Sequence, residues 1–425
     1  MKYKAYPEYK DSGMNWISEI PVKWEVKKLR FLGELDSSGV DKKIREDELL
    51  YKSVHYMDVY RNSLSEIGSS DDYLIISADE NKVNKCLLKK GDVLFTNSSE
   101  TPEDIGHSTV VIEDLIDTLF GYHLMRFRAK EKLDIKCQKY LFGSDILRSW
   151  FEHRANGITR YGITSIDFAD ALVILPPIPE QILIAKFLDR ETARIESIIT
   201  AKSKLIEKLK EKRNAVISYT VTKGLEPNAK MKSSGIEWIG EIPEEWIVSS
   251  FKWYGSVKSG DFIEKEYLDT NGDYPVIGGN GIMAYSNTYN CDKQTIVIGR
   301  VGALCGNIHR INFNCWITDN ALFIYRYSKS KMNLDYFKYF LFSMNLNSLA
   351  SQTAQPLITG ELVKKQKICL PSIEEQINIA NYLDDETARL DAIIIKTQSS
   401  IVKLKEYQKS LISAAVTGKI DVRGE

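Results

Sequence analysis

The residue types that most often carry out catalysis are present in this 425-residue chain, but their spacing matches no catalytic arrangement. Glu80-Asn81-Lys82 and the segment 207–210 resemble acid-x-Lys pieces of a nuclease, yet such triplets arise by chance where 27% of residues are charged. No Walker loop, zinc-protease HExxH or Asn-Pro-Pro-Tyr methyltransferase motif occurs. None of the histidines, at 55, 107, 123, 153 and 309, belongs to a recognisable triad. The sequence therefore predicts no self-contained enzyme.

The six cysteines form no pattern typical of metal binding. Cys291, Cys305 and Cys315 together with His309 come nearest to a zinc set, but structural zinc ligands normally lie two to four residues apart. We therefore predict no metal site and expect buried free thiols. The cysteines are Cys86, Cys137, Cys291, Cys305, Cys315 and Cys369.

Two polar loops carry side chains suited to recognition by hydrogen bonding. The first is the segment 156–161, with the sequence NGITRY, and the second is 351–355, with the sequence SQTAQ. Arginine, asparagine, glutamine and hydroxyl side chains are the groups that distinguish base edges in the major groove of DNA. Both loops precede a repeated LPxIxEQ phrase at similar distances, so we expect both to be held in equivalent positions.

That phrase opens the longest internal repeat, Leu175 to Leu209 and Leu370 to Leu404. Apolar residues in both copies step by four and three, which predicts two long helices with coiled-coil seams. Ser372 and Glu375 form a predicted capping box, and a glycine follows each pattern where a helix is expected to end. The predicted seams comprise Ile184, Leu188, Ile195, Ile198, Leu205, Leu209, Val216 and Tyr219, then Ile379, Leu383, Leu390, Ile393, Leu404, Tyr407, Leu411 and Ala414.

A second echo, WIxEIPxxW, opens each half at Trp16–Trp24 and Trp238–Trp246. Tryptophan and isoleucine beside a proline predict a buried anchor for the arriving chain. In each half, the segment between this phrase and LPxIxEQ alternates short apolar runs with turn residues. This pattern predicts mixed α/β domains with helices near 135–154 and 334–349. Glycine-rich GRVGALCG at 299–306 favours a strand-turn-strand over a nucleotide cradle.

Together, the duplicated phrases closely resemble the specificity subunit of type I restriction-modification systems: LPxIxEQ, then DxETAR within a long helix, each half opening with WIxEIPxxW. The resemblance implies an α+β, pseudo-two-fold fold, in which two mixed α/β target recognition domains are joined by two long antiparallel coiled-coil helices. The implied boundaries are 1–174 for the first recognition domain, 175–225 for the central helix, 226–369 for the second domain with its entry linker, and 370–425 for the last helix.

The resemblance also implies a function. Each recognition domain would read one half of a bipartite, asymmetric site in double-stranded DNA, and the helices would set the spacing and dock two modification subunits. Restriction subunits, with translocase and nuclease activity, can join. The chain itself would be non-catalytic and bind no cofactor, because S-adenosylmethionine, ATP and Mg²⁺ would belong to the partner subunits. With no apolar start and no run long enough to cross a bilayer, we expect a cytoplasmic protein without membrane contact.

We expect DNA contacts from both loops and from residues in the segments between the two repeated phrases of each half. Arg160 and Gln355 are the single residues that we most expect to contact DNA. The formal net charge of −1 argues neither for nor against DNA, so a coiled-coil scaffold whose globules bind proteins is the alternative. Two i,i+3 pairs on the helices are either solvated ion pairs or docking points: Glu191 with Arg194, and Glu386 with Arg389. The candidate DNA-binding residues are Asn97, Ser98, Thr101, Asn156, Thr159, Arg160, Tyr161, Asn280, Arg300, His309, Arg310, Gln352, Thr353 and Gln355.

Overall fold

A computed structural model of the chain describes residues 3–62, 64–302, 305–350 and 356–424. The chain divides into two compact units, residues 1–201 with 400–425, and residues 202–399. Each unit holds one mixed α/β domain and a part of each of two long helices. In the ranges described, no helix is both long enough and apolar enough to span a bilayer.

The first unit is built on one five-stranded and one three-stranded sheet, with two-stranded ladders beside them. Its strands are β1 (Tyr9–Met14), β2 (Ile17–Pro21), β3 (Glu25–Lys28), β4 (Gly33–Ser37), β5 (Leu49–Val54), β6 (Glu66–Ile67), β7 (Leu74–Ala78), β8 (Val93–Thr96), β9 (Ser98–Ser99), β10 (Ser108–Val111), β11 (Thr118–Phe120), β12 (Leu124–Ala129), β13 (Tyr161–Gly162) and β14 (Leu172–Leu175). Its helices are α1 (Leu29–Leu32), α2 (Tyr56–Tyr60), α3 (Glu80–Cys86), α4 (Ile135–Phe142), α5 (Asp145–Arg154), α6 (Ser165–Asp170) and the first part of α7 (Ile178–Lys223). One sheet has the order β4-β12-β8-β10-β6 and the other β11-β5-β7.

The second unit repeats this plan. Its strands are β15 (Met231–Ser233), β16 (Glu241–Pro243), β17 (Ile247–Ser250), β18 (Gly255–Ser259), β19 (Tyr274–Gly278), β20 (Gly281–Ser286), β21 (Thr295–Gly299), β22 (Ile308–Ile311), β23 (Trp316–Ile317), β24 (Ala321–Tyr327) and β25 (Lys367–Leu370). Its helices are the last part of α7, α8 (Leu334–Ser343), α9 (Gly360–Lys365) and the first part of α10 (Ile373–Val416), whose last part belongs to the first unit. The sheet order β18-β24-β21-β22 matches β4-β12-β8-β10, and β20-β19-β23 matches β7-β5-β11.

The predicted mixed α/β domains with short strands are thus confirmed, and two local predictions need correction. The helix predicted over 135–154 is broken into α4 and α5, because Ser144 accepts a hydrogen bond from the Leu147 amide and caps a new helix. The linker that we predict from Glu226 to Ser234 contains β15, which pairs with β16. The glycine-rich segment 299–306 does join two antiparallel strands, β21 and β22, as predicted.

Helices α7 and α10 run antiparallel in each unit. In the first unit, Gln408 Nε2 of α10 donates to Glu196 Oε1 of α7 at 3.1 Å. Gly418, just past the end of α10, lies beside Trp24, which contacts Glu180 at the start of α7. In the second unit, the Arg213 guanidinium lies 3.0 Å from an Asp391 carboxylate oxygen. Apolar residues of both helices are buried in the same core as the domain of each unit. The two long helices predicted from the repeat are confirmed.

The predicted seam is wrong by one residue at several positions. Ile198 is 37% exposed whereas Ile199 is only 9% exposed, and Leu205 is exposed whereas Ile206 is buried. In α10, Ile394 is buried in place of the exposed Ile393. Each of these sites has two adjacent apolar residues, so the sequence pattern allows either phase and packing selects one. Tyr219 and Tyr407, also predicted in the seam, are exposed, whereas Ile184, Leu188, Ile195, Ile379, Leu383, Leu390 and Leu411 are buried as predicted.

The two predicted terminating glycines have left-handed backbones. Gly224 has a φ of +76° and Gly418 a φ of +72°, a region that side chains with a Cβ rarely adopt. A Cβ on Gly418 would overlap the Pro21 ring, and one on Gly224 would lie 3.3 Å from the Trp246 ring. Both glycines therefore end a helix and also let the WIxEIPxxW segment approach closely.

Candidate nucleic-acid interface

Each mixed α/β domain is fixed to a long helix by a buried tryptophan. Trp24 is fully buried, and its Nε1 donates to Glu180 Oε2 at 2.9 Å. In the second unit, Trp246 Nε1 donates to Glu375 Oε2 at 3.1 Å, and burial raises the pKa of that carboxyl. The predicted anchor is confirmed for these two tryptophans, while the first tryptophan of each phrase, Trp16 or Trp238, is exposed.

Glu375 thus has a different role from the predicted capping box. Its amide donates to Ser372 Oγ at 3.2 Å, as the pattern predicted, but its carboxylate accepts from Trp246. In LPxIxEQ the glutamate therefore anchors the tryptophan of the other phrase in the same unit. In the sequence, the recurrence of both phrases in each half was the available sign of this contact. No local spacing could indicate it, because the two residues are 129 positions apart.

The glutamine of LPxIxEQ fixes the helix that follows the central sheet. Gln181 Oε1 accepts from the amide of Asp134, the N-cap of α4, at 2.9 Å. Gln376 Oε1 accepts in the same way from the amide of Asn333, the N-cap of α8, at 2.8 Å. Because both amides sit at the starts of their helices, each bond sets where α4 or α8 begins relative to the long helix.

A Lys-Tyr pair completes each attachment. Tyr140 Oη donates to Asp189 Oδ1 at 2.7 Å, and Tyr339 Oη donates to Asp384 Oδ1 at 2.6 Å. The preceding lysine in each case bonds the same aspartate, Lys139 at 2.8 Å and Lys338 at 2.9 Å. The aspartate is the first residue of DxETAR, so the two repeated helical phrases and the two domains are joined by the same contacts.

Several candidates of the first unit converge at one end of the central sheet. Ser98 and Ser99, which follow β8, pair with Gly162 and Tyr161 in the β9–β13 ladder. Asn97 lies between two other segments: its amide donates to the His123 carbonyl at 3.3 Å, and its carbonyl accepts from Ile163 at 3.0 Å. The structure therefore brings Asn97, Ser98 and Tyr161 together.

The other first-unit candidates lie on the loops around this ladder. Asn156 and Gly162 exchange backbone hydrogen bonds at 3.1 and 2.9 Å, which closes the loop 156–162. Thr159 and Arg160 are exposed on that loop. Thr101 is exposed just before a 3₁₀ turn at Pro102–Asp104, and its carbonyl accepts from Ser99 Oγ. The exposed tip combines a guanidinium with hydroxyl groups, which is the chemistry of base and phosphate contact.

Sequence reasoning missed two residues of this surface, His123 and Tyr56. His123 has a φ of +65°, and its Nδ1 lies 3.3 Å from Ser98 Oγ. Burial and then the Arg160 charge lower the pKa of His123. Burial raises the pKa of Tyr56, the Arg160 charge acts in the opposite direction, and the Tyr56 ring stacks on Tyr60 with ring centroids 5.4 Å apart. A histidine in a left-handed turn has no sequence signature here, which explains the omission.

In the second unit, Arg300 occupies the place of Asn97. It follows β21, the counterpart of β8, its amide donates to the Asn320 carbonyl at 3.1 Å, and its carbonyl accepts from Ile358 at 2.9 Å. Its guanidinium Nη1 donates to the Asp319 carbonyl at 3.0 Å. The same backbone arrangement thus presents an amide side chain in one domain and a guanidinium in the other.

Asn280 and His309 lie close to Arg300, whereas Arg310 does not. Asn280 is on the β19–β20 turn, next to Gly279, which packs against the Arg300 backbone. The His309 ring lies against Gly281 of the same turn, and burial lowers its pKa. Strand alternation turns Arg310 to the opposite face, where its Nε donates to Asp335 Oδ1 at 2.8 Å.

Gln352, Thr353 and Gln355 lie outside the described residues. The described residues just after them pair with the segment that follows β21. The amide of Gly302 donates to the Pro356 carbonyl at 3.0 Å, and Val301 forms a β-bridge with Leu357. This contact corresponds to the pairing of β13 with β9 in the first unit. Pro356 and Leu357 in the second unit therefore lie at the same end of their sheet as Tyr161 and Gly162 in the first.

The candidate docking residues form ion pairs within their own helices. Glu191 lies 3.0 Å from Arg190 and 4.0 Å from Arg194, and Glu386 lies 2.8 Å from Arg389. The Arg389 guanidinium lowers the pKa of Glu386. Each helix also exposes isoleucines at equivalent repeat positions, namely Ile182 with Ile377 and Ile198 with Ile393.

The type I restriction modification DNA specificity domain family matches residues 21–208 and 243–402 of this chain. The chain belongs to this family. It is the specificity subunit of a type I restriction-modification system, as its repeated phrases indicated. The match covers most of both mixed α/β domains and the first part of each long helix, and the alternative of a protein-binding scaffold has no counterpart in it.

Other specificity subunits resemble the chain over most of their length. It is 26% identical over 354 residues to the type I restriction enzyme EcoprrI specificity subunit of Escherichia coli, covering 78% of this chain and 83% of that one. It is 24% identical over 425 residues to the putative MjaX specificity subunit of Methanocaldococcus jannaschii, covering 96% of each.

Solved structures of the family share the fold. A chain from a type I restriction-modification system, solved in work on complex assembly and conformational transition, superposes with a TM-score of 0.75 at 17% identity, covering 94% of this chain and 99% of that one. The HsdS subunit from Thermoanaerobacter tengcongensis gives a TM-score of 0.55 at 17% identity, covering 94% and 98%.

Proposed function

We propose that each recognition domain of this specificity subunit reads one half of a bipartite, asymmetric DNA site, while the paired helices set the spacing between the halves. One observation carries the proposal: the two domains attach to the helices through the same Trp–Glu, Gln–N-cap and Tyr–Asp bonds. Their recognition segments differ, with half-buried Asn97 in one domain where the other has half-buried Arg300. Two domains that attach to the helices in the same way but carry different recognition segments are suited to reading two different half-sites.

The proposed contacts follow the chemistry of the major groove. Arg160 and Arg300 can donate two hydrogen bonds to guanine, Asn97 and Asn280 can bond adenine, and hydroxyls can bond either base or a phosphate. Ser98, Thr101, Asn156, Thr159, Tyr161 and His309 belong to the same two surfaces. Gln352, Thr353 and Gln355 are proposed from chain position alone, and Arg310 as a residue that supports its domain through Asp335.

We propose that the equivalent surfaces of α7 and α10 dock two copies of one modification subunit, and that restriction subunits join that assembly. Ile182 and Ile377 are exposed at the same repeat position, and so are Ile198 and Ile393. Exposed isoleucines at matching places in the repeat give each helix an equivalent surface, and two equal surfaces suit two equal partners. The Glu191–Arg194 and Glu386–Arg389 pairs lie on the same helices and would form the polar part of each surface.

The chemistry, in this proposal, belongs to the partners. The subunit supplies sequence recognition and binds no cofactor, while S-adenosylmethionine, ATP and Mg²⁺ act in the modification and restriction subunits. This division agrees with the attachment residues, whose titratable groups are tied to structural partners such as Trp24 and Tyr140.

Mapping of N6-methyladenine in DNA from cells that express the chain with its modification subunit tests the function. The expected result is one asymmetric motif with two specified halves separated by an unspecified stretch of constant length. A motif without a split, or methylation independent of sequence, would contradict the proposal. Cells that express the modification subunit alone are the control and should show no such motif.

Substitution of Arg160 tests the proposed reading surface. Arg160→Ala is expected to relax one position of one half-site, because a lost bidentate contact to a base costs about 1–3 kcal/mol of discrimination. Motif mapping and competition binding with single-base variants of the site measure the change. The matched control is Arg45→Ala. Arg45 precedes β5 and lies toward the opposite end of that strand from Val54, which pairs with Phe120 near the reading surface. Relaxation in both half-sites, or equal effects of both variants, would remove Arg160 from the interface.

A further inference from the structure

We propose that Cys291 and Cys315 form a reactive dithiol site in the second recognition domain, where a peroxide oxidises Cys291 and Cys315 then closes a disulfide. The site lies at the opposite end of β21 and β24 from Arg300, so it is separate from the proposed reading surface. Nothing in the specificity function requires it.

The backbone already holds the two cysteines face to face. The amide of Cys291 donates to the Cys315 carbonyl at 3.0 Å, and the amide of Cys315 donates to the Cys291 carbonyl at 3.0 Å. Antiparallel residues that exchange both bonds have Cα atoms about 5.5 Å apart. Disulfides form at Cα separations of roughly 4.4–6.8 Å, so the pair needs only a small approach of its Cβ atoms. The pair is an isolated bridge outside the named strands, which makes that approach easier.

The surroundings favour a nucleophilic thiolate on Cys291. A hydrogen bond from the Cys315 thiol lowers the pKa of Cys291 against the opposing effect of burial, and the same bond raises the pKa of Cys315. Cys291 lines an open groove of about 580 Å³ that also contains Lys258, Lys293 and Arg326. Positive charge beside a thiol stabilises its ionised form, and the groove admits a small oxidant. Asp292 is the one acid among the lining residues.

The reaction balances with one peroxide for each disulfide. The Cys291 thiolate attacks one oxygen of hydrogen peroxide, the O–O bond breaks, and the hydroxide that leaves takes up a proton to become water. The product is a sulfenic acid on Cys291. The Cys315 sulfur then attacks the Cys291 sulfur, the S–O bond breaks, and a second water leaves as the S–S bond forms. Two thiols are oxidised and the peroxide is reduced.

Three other cysteines of the chain provide an internal comparison for the reactivity of Cys291. Burial raises the pKa of Cys369 to about 12 and also raises that of Cys137. Cys305 is fully buried, with its sulfur 3.5 Å from Asn347 Nδ2. Since thiolates react and thiols do not, these cysteines should be slow toward both peroxides and alkylating agents.

The test uses the reduced, full-length chain treated with hydrogen peroxide, then alkylated, digested with trypsin and analysed by mass spectrometry. Cleavage after Lys265, Lys293, Arg310 and Arg326 places the two cysteines on separate peptides, 266–293 and 311–326. The expected product is a crosslink between these peptides that disappears on reduction. Without peroxide, iodoacetamide at neutral pH should label Cys291 roughly tenfold faster than Cys369.

Two variants separate the roles of the thiols. Cys315→Ser should stop crosslinking and leave a Cys291 sulfenic acid that dimedone captures, whereas Cys305→Ser should crosslink like the parent. The proposal is overturned if the parent chain gives no 266–293 to 311–326 crosslink, or if Cys291 is alkylated no faster than Cys369. Both of these measurements use the parent chain, so they hold even if a variant folds poorly.

Discussion

Trp24→Ala is expected to destabilise the first unit by about 3–5 kcal/mol, the usual cost of truncating a buried tryptophan. The indole is fully buried and fills the space between Pro21, Gly418 and the start of α7. Its loss also removes a donor from Glu180, which is itself buried and also accepts from the Tyr6 hydroxyl at 2.9 Å. A buried carboxylate that loses a donor adds to the cost of the cavity.

Hydrogen exchange followed by mass spectrometry is the suitable measurement, because a chain of two units has no single unfolding free energy. Trp24→Ala should reduce protection in residues 1–201, and Trp246→Ala should reduce it in 202–399. Trp24→Phe keeps the ring and removes the hydrogen bond, so it should cost roughly 1–3 kcal/mol. Trp253→Ala is the control, since Trp253 is 73% exposed. Equal loss of protection in both units from Trp24→Ala would show that the anchor does not act within its own unit.

Replacing residues 29–171 with residues 251–366 is expected to give a subunit whose target has two equal half-sites. The cut points are structurally equivalent: the amide of Leu29 donates to the Ala171 carbonyl at 3.0 Å, and that of Phe251 donates to the Gln366 carbonyl at 2.9 Å. The incoming domain carries Tyr339, which can bond Asp189 as it bonds Asp384 in its own place.

Motif mapping with the modification subunit measures the outcome. In the proposed arrangement of two equivalent readers facing opposite ways along the DNA, the second domain's half-site should appear twice, in inverted order. Each mismatched base pair costs about 1–3 kcal/mol, so methylation of the original targets should fall by roughly a hundredfold or more. The control keeps the original domain and carries only the residue changes at the junctions. An unchanged motif would refute separate reading by each domain, and loss of all methylation by a chain with normal hydrogen exchange would refute equivalent attachment.

The reading surface was only partly predictable because its parts come from distant segments. Asn97, Ser98 and Tyr161 were chosen for their side-chain chemistry, and the β9–β13 ladder does bring them together. Arg310 was chosen for the same chemistry, but strand alternation turns it toward Asp335. His123 was missed because its left-handed turn and its contact with Ser98 depend on the fold.

By itself, the sequence determined the features that repeat or that depend on near neighbours: two long helices, their terminal glycines, two mixed domains, the tryptophan anchors and the family. Only the tertiary structure decided which of Ile198 and Ile199 faces the core, which carboxylate receives each tryptophan, and how the loops meet. Neighbouring residues set helix periodicity and capping, and they act over one or two turns. The choice between adjacent apolar residues, and the pairing of Trp24 with a glutamate 156 positions away, depend on the surfaces that pack together.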